Sequence, residues 1–573
     1  MTPEEKYKIS SNDYIDLLIK YSGNPGLLKK YEAYSVHILN DGYAVIYLPI
    51  SQITSKSISE YGYSAIPSCY ALTSMESLDA SGINKLQKFP DFKLRGEGVI
   101  VGMIDTGIDY TNPVFLHSDG TSKILALWDQ TITTENQTPD ILFPPYFGTE
   151  YTALQINEAL KSPNPLQIVP STDTNGHGTM LAGIAAGSED KKNDFSGVAP
   201  DADLIVVKLK QAKSVLMNFL SIPLDVPCYM ENDILWAITY LIETARKFNR
   251  PVAVCIGLGS SQGAHDGGGP LSTSLSVIGD FQEVAITVSA GNEGNTRRHF
   301  FREIVPATGY TDVDLQIGEN EPGFVLELWG NPPNIYTLDI LSPSDEYVPK
   351  LVESLQENKE ITFFFEKTVI IIDYIMVEEE TGKQVILLRF KNPTPGTWRF
   401  KVYSRGDTRG AFHLWLPADN FISKNTYFLQ SNPYTTILDP GDSLVPITVT
   451  AYNPATETLY PASGKGYTAS NLVKPELAAP GVNILCPALN HSFTTISGTG
   501  AAAAHTSGIT ALLLEWCIVK GNYPGINTVS IKNFLLRGAK RKSNFQYPNQ
   551  DWGYGMIDVY NAFDILRSET LSP

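Results

Sequence analysis

No stretch of this 573-residue chain approaches the ~18–20 consecutive apolar residues that cross a bilayer. The longest apolar runs, 509–519 and 369–377, fall well short, so no membrane span is expected. The opening MTPEEKYKISSNDY lacks a basic end followed by an apolar core. No secretory leader is therefore expected, and synthesis in the cytoplasm follows. Cysteine is scarce: Cys69, Cys228, Cys255, Cys486 and Cys517, five in all, with no CxxC. An odd, scattered set supports neither a disulfide framework nor a zinc site, and the five read as small buried hydrophobes. Basic runs are missing too. Lys+Arg number 43 against 61 Asp+Glu, a net charge of −18, which a phosphate backbone would repel. Nucleic-acid binding is excluded on that ground. No EF-hand spacing is present, so no metal ligands are assigned.

What remains is globular: 43% hydrophobic and 10% aromatic, over a length that calls for more than one packed unit. Residues 1–75 read as a small α+β unit. A helix is expected over 13–21 and strands over 35–39 and 43–48, with Asn40-Asp41-Gly42 between them as a hairpin signal that tolerates positive φ. A polar helical piece (52–60) and an extended segment (65–73) follow. From Val99 onward, buried strand-like runs (99–104, 204–207, 252–256, 284–288) alternate with helical spacing over 234–245, the mark of an α/β domain with a mostly parallel sheet. Residues 306–434 change texture. Short β-rich runs separated by Pro, Gly and Asn turns suggest a β-sandwich or jelly roll. The α/β character returns at 444–451 and in a buried helix at 501–517. The division is thus 1–75, then 76–305 with 435–573, and an inserted 306–434.

Four elements carry chemistry. Asp105 ends the first run in VGMIDTGID, at the C-terminal end of a parallel strand, where α/β enzymes place catalytic groups. A turn-capping Asp is the other reading. No second apolar–Asp–[Ser/Thr]–Gly exists, so the paired carboxylates of an aspartic protease are ruled out. His177 lies in NGHGTMLAGIAAG, where Gly176 and Gly178 leave the imidazole uncrowded for proton transfer. Asn292 follows a strand in VSAGNEG; its amide can donate to an oxyanion, or simply belong to a loop. Last comes SGTGAAAAHTSG at 497–508, a glycine-flanked turn entering a helix. Such a turn exposes a nucleophile in the helix N-terminal dipole. Gly500 stands at its point.

In this order, Asp-Thr-Gly, Gly-His-Gly-Thr, Ala-Gly-Asn and a Gly-Thr-Gly opening a helix resemble the signature of subtilisin-like serine proteases. GVAPDADLIVVKL and KPELAAPG extend the likeness over roughly 95–305 and 435–565. The resemblance implies that Asp105 orients, His177 is the general base, Asn292 is the oxyanion donor and position 500 is the nucleophile. It also implies that Gly257–Leu258–Gly259 and Ser289–Ala290–Gly291 wall the substrate backbone and the side chain before the scissile bond. The departure is Gly500: without a hydroxyl no acyl-enzyme forms by the usual route. Ser497 and Thr499 sit elsewhere on the turn and do not replace it. In subtilisin itself, loss of the nucleophile costs about 10⁶ in turnover.

The helix opening Gly-Ala-Ala-Ala-Ala-His, the short N-terminal unit and the β-rich insert are similar to the Csp proteases of clostridial spores. That likeness implies an intramolecular prodomain over 1 to about 74, with 65–73 lying in the cleft and a processing site between Thr73 and Ser77. It also implies a rigidifying jelly-roll insert and association with the spore. Active members cleave the zymogen of a cortex-degrading hydrolase; others have lost catalytic residues and act as germinant-signalling pseudoproteases. Subtilisin-like folds often bind structural calcium, but no cofactor is required. Three readings result: a pseudoprotease regulator with a protein partner or small germinant, a working endopeptidase whose serine was replaced to trap its precursor, and a carbohydrate- or peptide-binding protein. The third needs exposed aromatics in the insert, whereas Trp398 and Trp415 read as core.

Overall fold

The computed structural model describes residues 2–54, 56–72, 81–83, 87, 93–133, 147–351, 356–406 and 409–570. The chain starts on a capping box: Thr2 and Glu5 bond reciprocally at the head of a helix, Pro3–Ser10. Strands β1 (Tyr14–Lys20), β2 (Val36–Ile38) and β3 (Tyr43–Pro49) then form an antiparallel sheet in the order β1-β3-β2. The helix expected over 13–21 is therefore a strand. Ile15, Leu17 and Ile19 enter one core while Leu18 enters another, so the apolar residues on either side of the buried Asp16 serve both faces. The turn at 40–42 forms as expected but by another device. Asn40 Oδ1 accepts from the N–H groups of Gly42 at 2.8 Å and Tyr43 at 2.9 Å, an Asx-type turn without positive φ at any of the three residues.

After β4 (Cys69–Leu72) comes the main sheet. Its strands include β5 (Ile100–Asp105), β6 (Ile124–Asp129), β7 (Thr149–Thr152) and β8 (Asp203–Lys208). Two short strands, β9 (Tyr229–Met230) and β11 (Leu258–Gly259), lie apart from it, while β10 (Val252–Ile256) and β12 (Val284–Ser289) belong to it. The sheet order is Thr458–Leu459, Ile447–Asn453, β12, β10, β5, β8, β6, β7, with Leu477–Pro480 also paired to Ile447–Asn453. All neighbours are parallel except β7 on β6 and Thr458–Leu459 on its partner. Alternate residues of β5 feed opposite cores, Val101 and Met103 one way, Ile100 and Ile104 the other. This two-sided burial makes the run continuously apolar.

Helices cover both faces. Glu231–Lys247 packs on one; His177–Ala186 and Thr499–Leu514 pack on the other. The last continues to Val519, making a 21-residue helical stretch long and apolar enough to cross a membrane by length and composition. It exceeds the run expected from sequence because alanines and glycines extend it. Here it is the central core helix, with Ala501 to Ala504 fully buried.

Between His299 and Phe428 lie two antiparallel sheets, one of six strands and one of five. Phe324, Leu326, Leu388 and Phe390 of the first share one apolar cluster with Val313, Leu338, Phe400 and Val402 of the second. Trp398 and Trp415 are buried, at 0% and 3% exposure, so neither supplies the exposed aromatic that a carbohydrate groove needs. The six-stranded sheet is apolar on its outer side as well, where Val325, Trp329 and Leu387 join Ile15, Leu17 and Leu216. The N-terminal sheet, the parallel-sheet body and the antiparallel sheets thus share a common core.

Polar contacts reinforce that junction. Asp16, 1% exposed, pairs with Lys213 and accepts from Asn232 Nδ2 at 2.9 Å, and Lys213 also donates to the Lys8 carbonyl at 2.9 Å. Removing one partner of such a buried pair leaves an uncompensated charge, a loss of about 3–5 kcal/mol. The Asp16→Ala protein should therefore unfold at a clearly lower urea concentration; an unchanged midpoint would mean the pair does not hold the N-terminal unit.

Candidate active site

Strands β5, β10 and β12 are neighbours and end on the same side of the sheet, the side where α/β folds place their sites. Their ends deliver Asp105, Gly257 and the Ser289–Ala290–Gly291–Asn292 turn. Two helix N-termini meet them, one beginning at His177 and the other at Thr499. Gly176 has φ +95°, which turns the chain into the first helix. At Gly178 a Cβ would stand 2.2 Å from the Gly107 carbonyl oxygen. Glycine here allows the helix to close on the end of β5.

That approach brings His177 Nδ1 to 2.8 Å from Asp105 Oδ1. The carboxylate is fully buried and the imidazole 5% exposed. Asp105 Oδ1 also accepts from the Thr106 N–H at 2.8 Å, which fixes its rotamer. A Cβ on Gly257 would lie 3.6 Å from His177 Cε1 and 3.7 Å from Gly500 Cα, so the imidazole and position 500 flank one point. Asn292 Oδ1 accepts from the Thr499 N–H at 3.1 Å and its hydroxyl at 3.2 Å. With its oxygen committed, the amide's NH₂ is directed away from Thr499. Asp105, His177, Asn292 and Gly500 are therefore brought together. The other hydroxyls of the turn are engaged: Thr499 on Asn292, and Ser497 Oγ accepting from the Asn483 N–H at 2.9 Å.

Gly257, Leu258, Gly259, Ser289, Ala290 and Gly291 are all buried. Between Gly259 and Gly291 stands Leu438, which no sequence signal indicated. A Cβ on Gly259 would lie 2.8 Å from its Cδ1, and one on Gly291 2.4 Å from its Cγ. Leu438 is 2% exposed and its N–H donates to the Ala290 carbonyl at 3.1 Å. It fills the floor between the two walls.

Strand β4 lies antiparallel between β9 and β11, with Cys69 opposite Met230 and Leu72 opposite Leu258. Cys69 N–H donates to Gln262 Oε1 at 3.0 Å, and Tyr70 bonds to Asp439. The opposing Tyr229 is buried near the Asp105 and Asp173 carboxylates; burial first, then those charges, push its phenol up and keep it neutral. The expected processing site between Thr73 and Ser77 lies outside the described residues.

Asp173 was also missed, although STDTNGHG places an acid just before a helix start. Its Oδ1 accepts from Thr106 Oγ1 at 2.9 Å and Gly176 N–H at 2.8 Å. Its Oδ2 accepts from the Thr179 N–H at 3.0 Å and hydroxyl at 2.7 Å. One carboxylate thus ties the Asp105 turn to the His177 helix. Among the described residues, no group of three or more His, Cys, Asp or Glu side chains is placed to hold a metal ion.

Comparison with known proteins agrees with this geometry. The model of the subtilase family, Peptidase S8, matches residues 96–302 and 388–555. The chain belongs to the subtilase family. The solved structure of the Clostridium perfringens CspB protease is similar, 30% identical, with a TM-score of 0.76 over 86% of this chain and 98% of that one. Two Arabidopsis thaliana subtilisin-like proteases are similar as well. SBT1.2 is 22% identical over 82% of this chain and SBT1.9 is 23% identical over 78%. This subtilase spans about 60% of the length of those two relatives.

Asp173→Ala would remove the shared acceptor while leaving Asp105 and His177 in sequence. Hydrogen bonds to a charged group contribute about 1.5–3 kcal/mol each, so a loss of at least that size is expected. Urea unfolding of this variant beside the parent measures it; equal midpoints would show that the Asp105–His177 pairing does not depend on Asp173.

Proposed function

We propose that this subtilase is a pseudoprotease: it keeps a protease cleft and its own N-terminal strand within it, and it regulates through binding a protein partner rather than by hydrolysis. The observation that carries this is Gly500, standing where the resemblance puts the nucleophile, beside an Asp105–His177 pair at 2.8 Å. Without a hydroxyl, His177 has nothing to deprotonate for acyl transfer, so β4 stays attached and occupies the cleft. Similarity to the Csp family favours a place in bacterial spore germination, and a small germinant is the alternative partner.

A second reading has a specific observation in its favour. Asp105, His177 and Asn292 keep a working arrangement, as they would in an endopeptidase acting on a cortex-hydrolase zymogen whose serine had been replaced to trap the uncut precursor. The natural codon at position 500 separates the two.

The test of self-processing is the intact mass of the Gly500→Ser protein beside the parent. The serine protein should split near residue 75, while the parent stays one 62.9 kDa chain. Cleavage of the parent would refute the pseudoprotease reading. If both stay whole, the cleft has lost more than the hydroxyl, and the catalytic half of the second reading falls.

Leu438 adds a specificity prediction. In the Gly500→Ser background, peptides with a small residue before the scissile bond should be cut at least about tenfold faster than those with phenylalanine. Leu438→Gly should erase that preference. Equal rates in both proteins would show that Leu438 does not line the specificity pocket.

A further inference from the structure

Two of the five cysteines meet at the junction between the N-terminal segment and the cleft. Cys69 lies on β4 and Cys228 immediately precedes β9. In the antiparallel β4·β9 ladder Cys69 is opposite Met230. Residue 228 is therefore its diagonal neighbour on the same face, within side-chain reach. Both thiols are fully buried in the cluster that joins the three parts of the molecule. Cys255, Cys486 and Cys517 belong to a different cluster, on the far face of the main sheet. Contact with the Cys228 thiol, and then burial, hold the Cys69 thiol well above its ordinary range, so it is unreactive while the strand is seated.

The seat is short. Among the described residues, two residue pairs join β4 to β9 and two join it to β11, beside the Cys69–Gln262 and Tyr70–Asp439 hydrogen bonds. Lifting of β4 would uncover both thiols, one on β4 and the other at the start of β9.

We infer that Cys69 and Cys228 form a redox latch, which hydrogen peroxide closes into a disulfide fastening the N-terminal segment to the wall of the cleft. In the first step one thiolate attacks a peroxide oxygen: an S–O bond forms, the O–O bond breaks, and hydroxide leaves to become water. The second thiol attacks the resulting sulfenic acid: the S–S bond forms, the S–O bond breaks, and a second water leaves. Two thiols lose two electrons and one peroxide becomes two waters. The bond closes a loop from 69 to 228, so it restricts the unfolded chain and prevents β4 from leaving the cleft. A diagonal pair stands near the upper limit of separation for a disulfide, so closure requires β4 to move. The latch involves neither Gly500 nor His177 and stands apart from any catalytic reading.

The experiment treats the full chain with hydrogen peroxide, alkylates the remaining thiols, and maps tryptic peptides without reductant. One linked peptide pair is expected, carrying Cys69 and Cys228, with the intact mass lower by two hydrogens and restored by dithiothreitol. The urea midpoint should rise on oxidation and return on reduction. Cys69→Ser and Cys228→Ser should each abolish the link and the rise, with the reduced midpoint near the parent's. A link to Cys255, Cys486 or Cys517 would overturn the inference. So would sulfinic acid at either position, or thiols that remain alkylatable when the peroxide is applied in urea just below the transition.

Discussion

The close approach of a helix start to a strand end, permitted by the missing side chain of Gly178, is the constraint on which the site depends. It sets His177 against Asp105 at 2.8 Å. Everything else at the cleft is arranged around that pair. The neighbouring parallel strands end level with it, Asp173 ties the two backbones together, and the core helix from Thr499 brings position 500 to the same point. A mostly parallel sheet packed on both faces gives this arrangement its rigidity, because side chains on either side of its central strands are held in close-packed clusters.

In the pseudoprotease we propose, one absent hydroxyl would change the chemistry without changing the shape of that frame. Asp105 and His177 are buried and paired, and the Asn292 side-chain oxygen accepts from Thr499. On that proposal, position 500 is where a nucleophile would stand, and Gly500 carries no hydroxyl. A loss of that kind removes the covalent step and leaves recognition intact. The strand between β9 and β11 is paired through its main chain on both sides, and Leu438 fills the space between Gly259 and Gly291.

Much of this was legible in the sequence, for identifiable reasons. Asp105, Asn292 and Gly500 sit at strand ends or helix starts flanked by glycine, and such junctions are marked by composition. The buried strands at 252–256 and 284–288 are continuous apolar runs, and they appear at β10 and β12. What was not legible depends on packing between distant segments. The run 14–20 looks helical until a second face is found to bury it. Leu438 is 147 to 179 residues away from the two glycines it fills, and no local pattern links them. Asp173 reads as a loop acid until its four partners are seen. Phe364 and Phe365, aromatics in the β-rich segment, lie beyond the end of the strand Gln356–Thr362 and are exposed at 83% and 76%.

The most direct test of the central claim is labelling with a fluorophosphonate, which reacts with a side-chain hydroxyl activated by a neighbouring base. The account predicts that the parent chain takes no label, while Gly500→Ser is labelled at residue 500 and loses that label when His177 is replaced by alanine. Labelling of the parent at any serine or threonine of the cleft would contradict it, because the protein would then carry a nucleophile that the geometry does not provide.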